Sequence, residues 1–290
     1  FKSNKNLIFG GAGGTIQLTE KNLNLGAGSI TFNSDYILSD GGDNNRRLNS
    51  AGYIINAGAV VTSLLTGGVG DIWRKIGDGT LIIAGNGNNQ AGLNVGDGLT
   101  ILQRVGGSAL KTLHIGSGRA IVRLGAADQL VGTQVGFGTR GGILDLYGQS
   151  LSWNDIIHMD NGATIAATKS GAQSTFTFTG SGPKTFLGNF IDGGSLSDGL
   201  LHLVYAPATK DSSWTLKGYI DTRGGMDITS GNLAVQGALT LHAGGYIDPT
   251  QYEKASFDLG DSLVNLTDAS FTVARNSTAR GRFVLDDKST

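Results

Sequence analysis

The 290 residues carry 22 lysines and arginines against 23 aspartates and glutamates, dispersed along the chain, so the basic footprint that nucleic-acid binding requires is missing. There is no cysteine, which excludes disulfides and thiolate metal sites, and no stretch reaches the roughly 20 apolar residues of a membrane-spanning helix. Glycine supplies 48 residues and proline only 3, a balance that permits many turns with positive φ while leaving strand ladders uninterrupted.

In chain order, Phe1-Lys2-Ser3-Asn4-Lys5-Asn6 is not a signal peptide and reads as starting inside something larger. A glycine run from Phe9 to Gly14 leads into Thr15-Ile16, and Tyr53-Ile54-Ile55 forms the next clear β-branched segment. Gly67-Gly68-Val69-Gly70-Asp71 approximates a calcium-binding nonapeptide turn, but its aspartate comes one position early and the unit does not repeat.

Four glycine doublets then recur: Gly77-Asp78-Gly79, Gly96-Asp97-Gly98, Gly116-Ser117-Gly118 and Gly136-Phe137-Gly138, with starts 19, 20 and 20 residues apart. Short apolar runs follow them, Leu81-Ile82-Ile83, Thr100-Ile101-Leu102, Ala120-Ile121-Val122 and Ile143-Leu144. Ser174 to Thr179 and Ser270-Phe271-Thr272-Val273 add alternating strands, and no long helical period appears.

A period near 20 means a stacked repeat. If about six side chains per unit point inward, burial returns roughly 1.5 to 3 kcal/mol each, while ordering about 20 residues costs about 1 to 2 kcal/mol apiece. A single unit therefore stays unfolded, and hydrogen bonds and stacking between neighbouring units must supply the rest. Leucine-rich and propeller periods do not fit. The reading is all-β, a right-handed single-stranded parallel β-helix, with two or three strands per coil and each strand pairing with its equivalent one coil on.

Several residues invite a chemical role. Gly260-Asp261-Ser262 resembles a serine-protease nucleophile motif, yet Leu263 and Val264 follow where glycine and a small residue are needed, so Ser262 reads as part of a turn. His114, His158, His202 and His242 are 44, 44 and 40 residues apart, close to two coils each, a spacing that would stack them along one face. Two coils correspond to about 9.6 Å, too far for side chains that must each reach about 2.0 to 2.1 Å from one zinc ion. They read as partly exposed strand or turn histidines.

Thr179-Gly180-Ser181-Gly182-Pro183-Lys184-Thr185 imitates a phosphate loop, but Pro183 replaces the required glycine and no helix pattern follows. Trp73, Trp153, Trp214, Tyr205, Tyr219, Tyr246 and Tyr252 are too dispersed for a stacking platform and read as core filling, coil-end covers or loop markers. Asn265-Leu266-Thr267 and Asn276-Ser277-Thr278 match the glycosylation sequon and read as ladder residues. No catalytic, cofactor-binding or metal residue is assigned, and no cofactor is expected.

The motifs taken together resemble the passenger domain of the serine-protease autotransporters, the group that contains the IgA1 proteases and the SPATE toxins of Gram-negative bacteria. The resemblance runs from Asn6 to the end: the glycine run before Thr15-Ile16-Gln17-Leu18, then Lys75-Ile76-Gly77-Asp78-Gly79-Thr80-Leu81, then Gly92-Leu93-Asn94-Val95-Gly96-Asp97-Gly98. Its most specific part is Phe137-Gly138-Thr139-Arg140-Gly141-Gly142-Ile143-Leu144-Asp145-Leu146, with Gly148, Leu151 and Asp160-Asn161-Gly162-Ala163 after it. Gly231-Asn232-Leu233-Ala234-Val235-Gln236-Gly237 and Ala269 to Asn276 are similar to the family's last coils.

The resemblance implies an N-terminal chymotrypsin-like domain with a His, Asp and Ser triad, a long β-helix and a C-terminal membrane barrel in one precursor, of which residues 1–290 hold one β-helix stalk fragment. About 265–290 would run into the segment that assists folding. On this reading the chain is not an enzyme; the parent is a secreted serine endopeptidase, exported through the periplasm and outer membrane, and the protease domain and barrel are the stalk's partners. The alternative is an adhesin or self-association surface, with host or matrix proteins or a second copy as partner. A third class, a polysaccharide-cleaving β-helix enzyme, would cluster carboxylates, whereas Asp145, Asp155, Asp160, Asp192 and Asp198 show no constant coil spacing.

Overall fold

In the computed structural model the described residues are 4–154, 161–192, 199–209, 211–229, 231–241 and the strands Tyr246–Pro249, Ser256–Asp258, Val264–Leu266 and Ser270–Phe271. The fold is all-β, with no helix among these residues and with parallel strands wound into a β-solenoid. The chain divides into two compact units, residues 1–144 and 145–290.

In the first unit one sheet takes its strands from successive coils: Leu7–Phe9, Ser29–Phe32, Gly52–Ile55, Ile72–Ile76, Gly92–Val95, Thr112–Ile115 and Gln134–Phe137. A second sheet runs from Gly14–Gln17 through Tyr36–Ser39, Val60–Ser63, Thr80–Ile83 and Gly98–Leu102 to Ala120–Leu124. A short third face pairs Asn22–Asn24 with Arg47–Asn49. Each strand thus hydrogen-bonds to its equivalent in the next coil, as the glycine period predicts.

Register turns the two-residue alternation of a strand into columns. On the second sheet Val61, Leu81, Thr100 and Val122 stack inward, as do Ser63, Ile83, Leu102 and Leu124. Burying each large aliphatic side chain contributes about 1.5 to 3 kcal/mol, and every residue so buried is also part of a ladder. The first sheet's inward column reads Ile30, Tyr53, Lys75, Val95, Ile115 and Phe137. A lysine therefore stands where every neighbour is apolar or aromatic.

In the second unit a coil carries three strands. The three ladders begin with Ser150–Trp153 and Gln173–Phe178, with Ala163–Ala166 and Asn189–Ile191, and with Pro183–Phe186 and Ser213–Leu216. Coil length is less regular than a period of 20 suggests. Val60 pairs with Thr80, 20 residues on, but Thr164 pairs with Asn189 and Phe190 with Ile220, 25 and 30 residues on. The extra residues fall between strands, so the ladders keep register while the sequence period is lost.

The second unit's core is aromatic. Trp153 meets Phe176 at 5.1 Å between ring centroids, Phe176 meets Phe178 at 4.9 Å, and Phe178 meets Trp214 at 4.8 Å. Phe186 and Phe190 extend the cluster at 4.7 Å. Trp153 and Trp214, dispersed in sequence, thus converge through Phe176 and Phe178 of the single strand Gln173–Phe178.

Candidate functional site

The first three glycine doublets are corners, whereas Gly136 stands inside the strand Gln134–Phe137 opposite His114, and the chemistry of the corners follows from close approach. Gly77 has φ +86° and Gly98 φ +65°, and a Cβ on Gly98 would sit 2.4 Å from the Lys75 Nζ and 2.5 Å from the Gly77 carbonyl oxygen. That ammonium donates to the carbonyls of Gly77 and Gly79 at 2.7 Å and of Asp97 at 2.5 Å. Burial pushes Lys75 down to about 8, while Asp97 and Asp78 oppose the push. Its three protons have three main-chain acceptors, so it is a corner staple and holds no donor in reserve.

Arg104 does the same at another corner. The residue is 2 % exposed, and its guanidinium donates to the carbonyls of Leu65, Ala84, Asn86 and Gly87 and to the Thr66 hydroxyl at 2.5 to 3.1 Å. Composition announces neither cation, although the strand pattern carries a signal for one of them. In Ile72-Trp73-Arg74-Lys75-Ile76 an inward Trp73 makes Lys75 inward too, because strand side chains alternate.

His114 lies on Thr112–Ile115 beside Asn94 and Gly136, whereas His202 lies on Leu200–Tyr205, so the two belong to different sheets. His202 is also buried, at 8 % exposure, contrary to the expectation of a partly exposed ring. Its Nδ1 faces the Gly224 carbonyl at 2.8 Å and its Nε2 faces Asp227 at 3.1 Å. The register across 25 residues makes that pair, and no local motif announces it. His158, His242 and Ser262 lie outside the described residues, as do Tyr252, Asp155, Asp160, Asp198, Thr267 and Asn276-Ser277-Thr278.

The remaining candidates are committed to the backbone. Lys184 sits in the strand Pro183–Phe186, paired with Ser213–Leu216, where a phosphate loop would need a helix N-terminus. The turn at Gly67 to Asp71 is closed by the Gly68 N–H on the Asp71 carboxylate at 2.7 Å. Asp145 accepts from the Tyr147 and Thr168 N–H groups, both at 3.1 Å, and from the Thr168 hydroxyl at 2.7 Å. Asp192, fully buried, accepts from the Leu201 and Arg223 N–H groups and from the Thr222 hydroxyl. Trp73, Trp153 and Trp214 fill the core, Tyr205 is buried with its hydroxyl on the Ser212 carbonyl, and Tyr219 is exposed.

Part of what faces outward in the first unit is aliphatic, beside charged neighbours such as Arg74 and Arg123. One column of the first sheet reads Ile8, Thr31, Ile54 and Ile76, with Ile8 72 % and Ile76 48 % exposed. On the second sheet Ile37, Thr62, Ile82 and Ile101 stand in one column. Among the described residues no group of three or more His, Cys, Asp or Glu side chains is placed to hold a metal ion.

No family model matches the chain. It is 31% identical over 281 residues to the Adhesion and penetration protein autotransporter of Haemophilus influenzae strain Rd, covering 89% of the chain and 20% of that protein. It is 38% identical over 180 residues to an Immunoglobulin A1 protease autotransporter of Haemophilus influenzae, covering 61% of the chain and 12% of the relative. The Serine protease SepA autotransporter of Shigella flexneri is 35% identical over 178 residues, 60% of the chain and 13% of that protein. The chain thus spans a fifth or less of the length of these curated relatives, which are secreted or surface-displayed by Gram-negative bacteria. The crystal structure of the Haemophilus influenzae Hap adhesin aligns with a TM-score of 0.71 at 21% identity over 88% of the chain and 35% of that structure, a likeness of fold.

Proposed function

We propose, on the premise that the homologues of this chain are autotransporter passenger domains, that it is the non-catalytic β-helical stalk of an exported serine-protease autotransporter. It holds a protease head away from the cell surface and supports export as coil folds upon coil. Residues 1–290 belong to one β-helix, and about 265–290 enter the segment that assists folding. The observation that carries this reading is the fate of the polar side chains: Lys75, Arg104, Asp145 and Asp192 are buried and spent on main-chain groups of their own or neighbouring coils. The partners are the protease domain and the membrane barrel of the same precursor, and hydrolysis of peptide bonds belongs to the head.

The test replaces residues 1–290 within the full precursor by an unstructured linker of equal length. The stalk reading expects the protease to be lost from the cell exterior, while a separately prepared head domain still cleaves its substrate. Undiminished export and surface cleavage by the linker version would overturn it. The purified chain is expected to leave casein intact.

A second reading, an adhesive or self-associating surface, is favoured by the outward column of Ile8, Ile54 and Ile76, of which Ile8 and Ile76 are exposed, and by relatives named for adhesion. Sedimentation across a concentration range separates the two. A strictly monomeric chain that fails to coat cells or matrix proteins counts against adhesion.

A further inference from the structure

The contacts of His202 constrain its proton count. The Gly224 carbonyl oxygen has no proton to give, so Nδ1, 2.8 Å away, must donate to it. The Asp227 carboxylate likewise only accepts, so Nε2, 3.1 Å from its Oδ2, must donate as well. A ring with N–H on both nitrogens is an imidazolium. Both bonds exist together only while His202 carries the extra proton.

The partners belong to the next coil. Asp227 lies on Met226–Ile228, in register with Val204, and Gly224 precedes that strand. A Cβ on Gly224 would meet the Leu201 carbonyl at 2.1 Å, so the turn lies directly against the histidine's own strand. The same coil junction is closed by the Leu203 N–H on the Gly225 carbonyl at 3.0 Å and by the Thr229 N–H on the Tyr205 carbonyl at 2.8 Å.

We propose that His202 is a proton-operated clamp in the second unit: closed as an imidazolium on Gly224 and Asp227, it gives up one of these two bonds when it loses its proton and so loosens the junction between Leu200–Tyr205 and Met226–Ile228. On deprotonation one ring proton passes to solvent, and the nitrogen left bare turns its lone pair on an oxygen that only accepts, the Gly224 carbonyl or the Asp227 carboxylate, which is repulsive.

Among the described residues, other charged groups stand near this junction. Gln173–Phe178, on the other side, has no titratable residue and places Thr175 beside His202. Arg223 turns to the Gly199 carbonyl and Asp192, Asp221 lies in the strand Ile220–Thr222 of another sheet, and Asp248 stands in register beyond Asp227. The bond to Asp227 is the largest influence and raises the affinity of His202 for its proton, burial opposes it, and the Gly224 carbonyl adds to the rise. A raised histidine stabilises the fold fully below its unfolded value of about 6.5 and loses that contribution as pH climbs through the folded value.

The clamp is independent of the stalk reading and is tested on the whole chain, nitrogen-15 labelled. Long-range proton–nitrogen spectra across the histidine titration should show both ring nitrogens protonated at low pH, with a midpoint that falls in Asp227→Asn. Amide exchange at Leu203 and Thr229, corrected for intrinsic chemistry, should accelerate about tenfold over the same interval, and this step should vanish in Asp227→Asn and in His202→Gln. A midpoint indifferent to Asp227→Asn, or exchange at those two amides that ignores the titration, overturns the proposal.

Discussion

The Lys75 ammonium donates to the carbonyl oxygen of Asp97, one coil further on, from the middle of a column whose other members are apolar or aromatic. An ammonium belongs there only because the corner offers three carbonyls that no backbone N–H occupies. Lys75→Met keeps the volume and orphans those acceptors, so it should destabilise the first unit by about 1 to 3 kcal/mol in denaturant titrations. The pH dependence has a definite sign. Burial holds the folded lysine at about 8, so between there and its ordinary value the unfolded chain binds a proton that the folded chain does not, and stability rises with pH. Methionine lacks that rise, and the deficit of the variant should widen over the same interval.

The corner glycines separate two effects that alanine scanning usually mixes. Gly58 has φ +83° with nothing within 4 Å of the place a Cβ would take, whereas Gly98 has φ +65° and no room at all. Gly58→Ala should cost only the left-handed backbone penalty, about 1 to 2 kcal/mol. Gly98→Ala adds a collision with Lys75 and Gly77, for a total of about 3 kcal/mol or more. Thermal melts of the two variants side by side measure the difference, and equal losses would remove the close-approach account of the doublets.

That contrast shows what was legible in the sequence. Gly77, Gly98 and their equivalents betray the fold because a corner constrains the backbone of the residue that makes it, and the constraint recurs with every coil. The strands at Leu81, Ile101 and Val122 are legible for the same reason. Lys75 was not, since composition treats a lysine as surface and only its alternation with Trp73 places it inside. His202 with Asp227, and Phe178 with Trp214, depend on register between coils of unequal length, which spacing alone does not fix. Asp145 and Asp192 have no constant spacing because each serves the main chain of one particular junction, Asp145 at Tyr147 and Thr168 and Asp192 at Leu201 and Arg223.

Arg104 tests geometry apart from charge. Lysine keeps the positive charge but has three donors on a point-like head, against five in a planar fork. Arg104→Lys cannot reach Leu65, Thr66, Ala84, Asn86 and Gly87 together. We expect a loss of about 2 kcal/mol or more, the order expected when hydrogen bonds from a charged donor are broken, and new protease cleavage near Asn86-Gly87. Wild-type resistance at that bond would show that the fork is dispensable.

The aromatic cluster should report on the second unit alone. Phe178 touches Trp214, Phe176 and Phe190 and is 1 % exposed. Phe178→Ala should cost about 3 to 5 kcal/mol through the cavity it leaves, and Phe178→Leu less than about 1.5 kcal/mol if neighbours repack. Tryptophan fluorescence follows Trp214 once Trp73 and Trp153 are replaced by phenylalanine in the reference chain. The unfolding midpoint read this way should move while hydrogen exchange within Thr80–Ile83 holds steady.

Asp145 decides between a structural and a catalytic carboxylate. As a structural acceptor it serves the Tyr147 N–H, where the backbone takes φ +47°, and both the N–H and the hydroxyl of Thr168. Asp145→Asn keeps one carbonyl oxygen in place for the two N–H groups and should cost about 1 kcal/mol; Asp145→Ala strands buried donors and should cost about 1 to 3 kcal/mol. A glycan-cleaving role would reverse the order of interest, because the amide would abolish turnover while leaving stability almost untouched. Melting curves and glycan turnover measured on the same two variants distinguish these cases, and turnover by the wild-type chain that Asp145→Asn removes would count decisively for the enzyme.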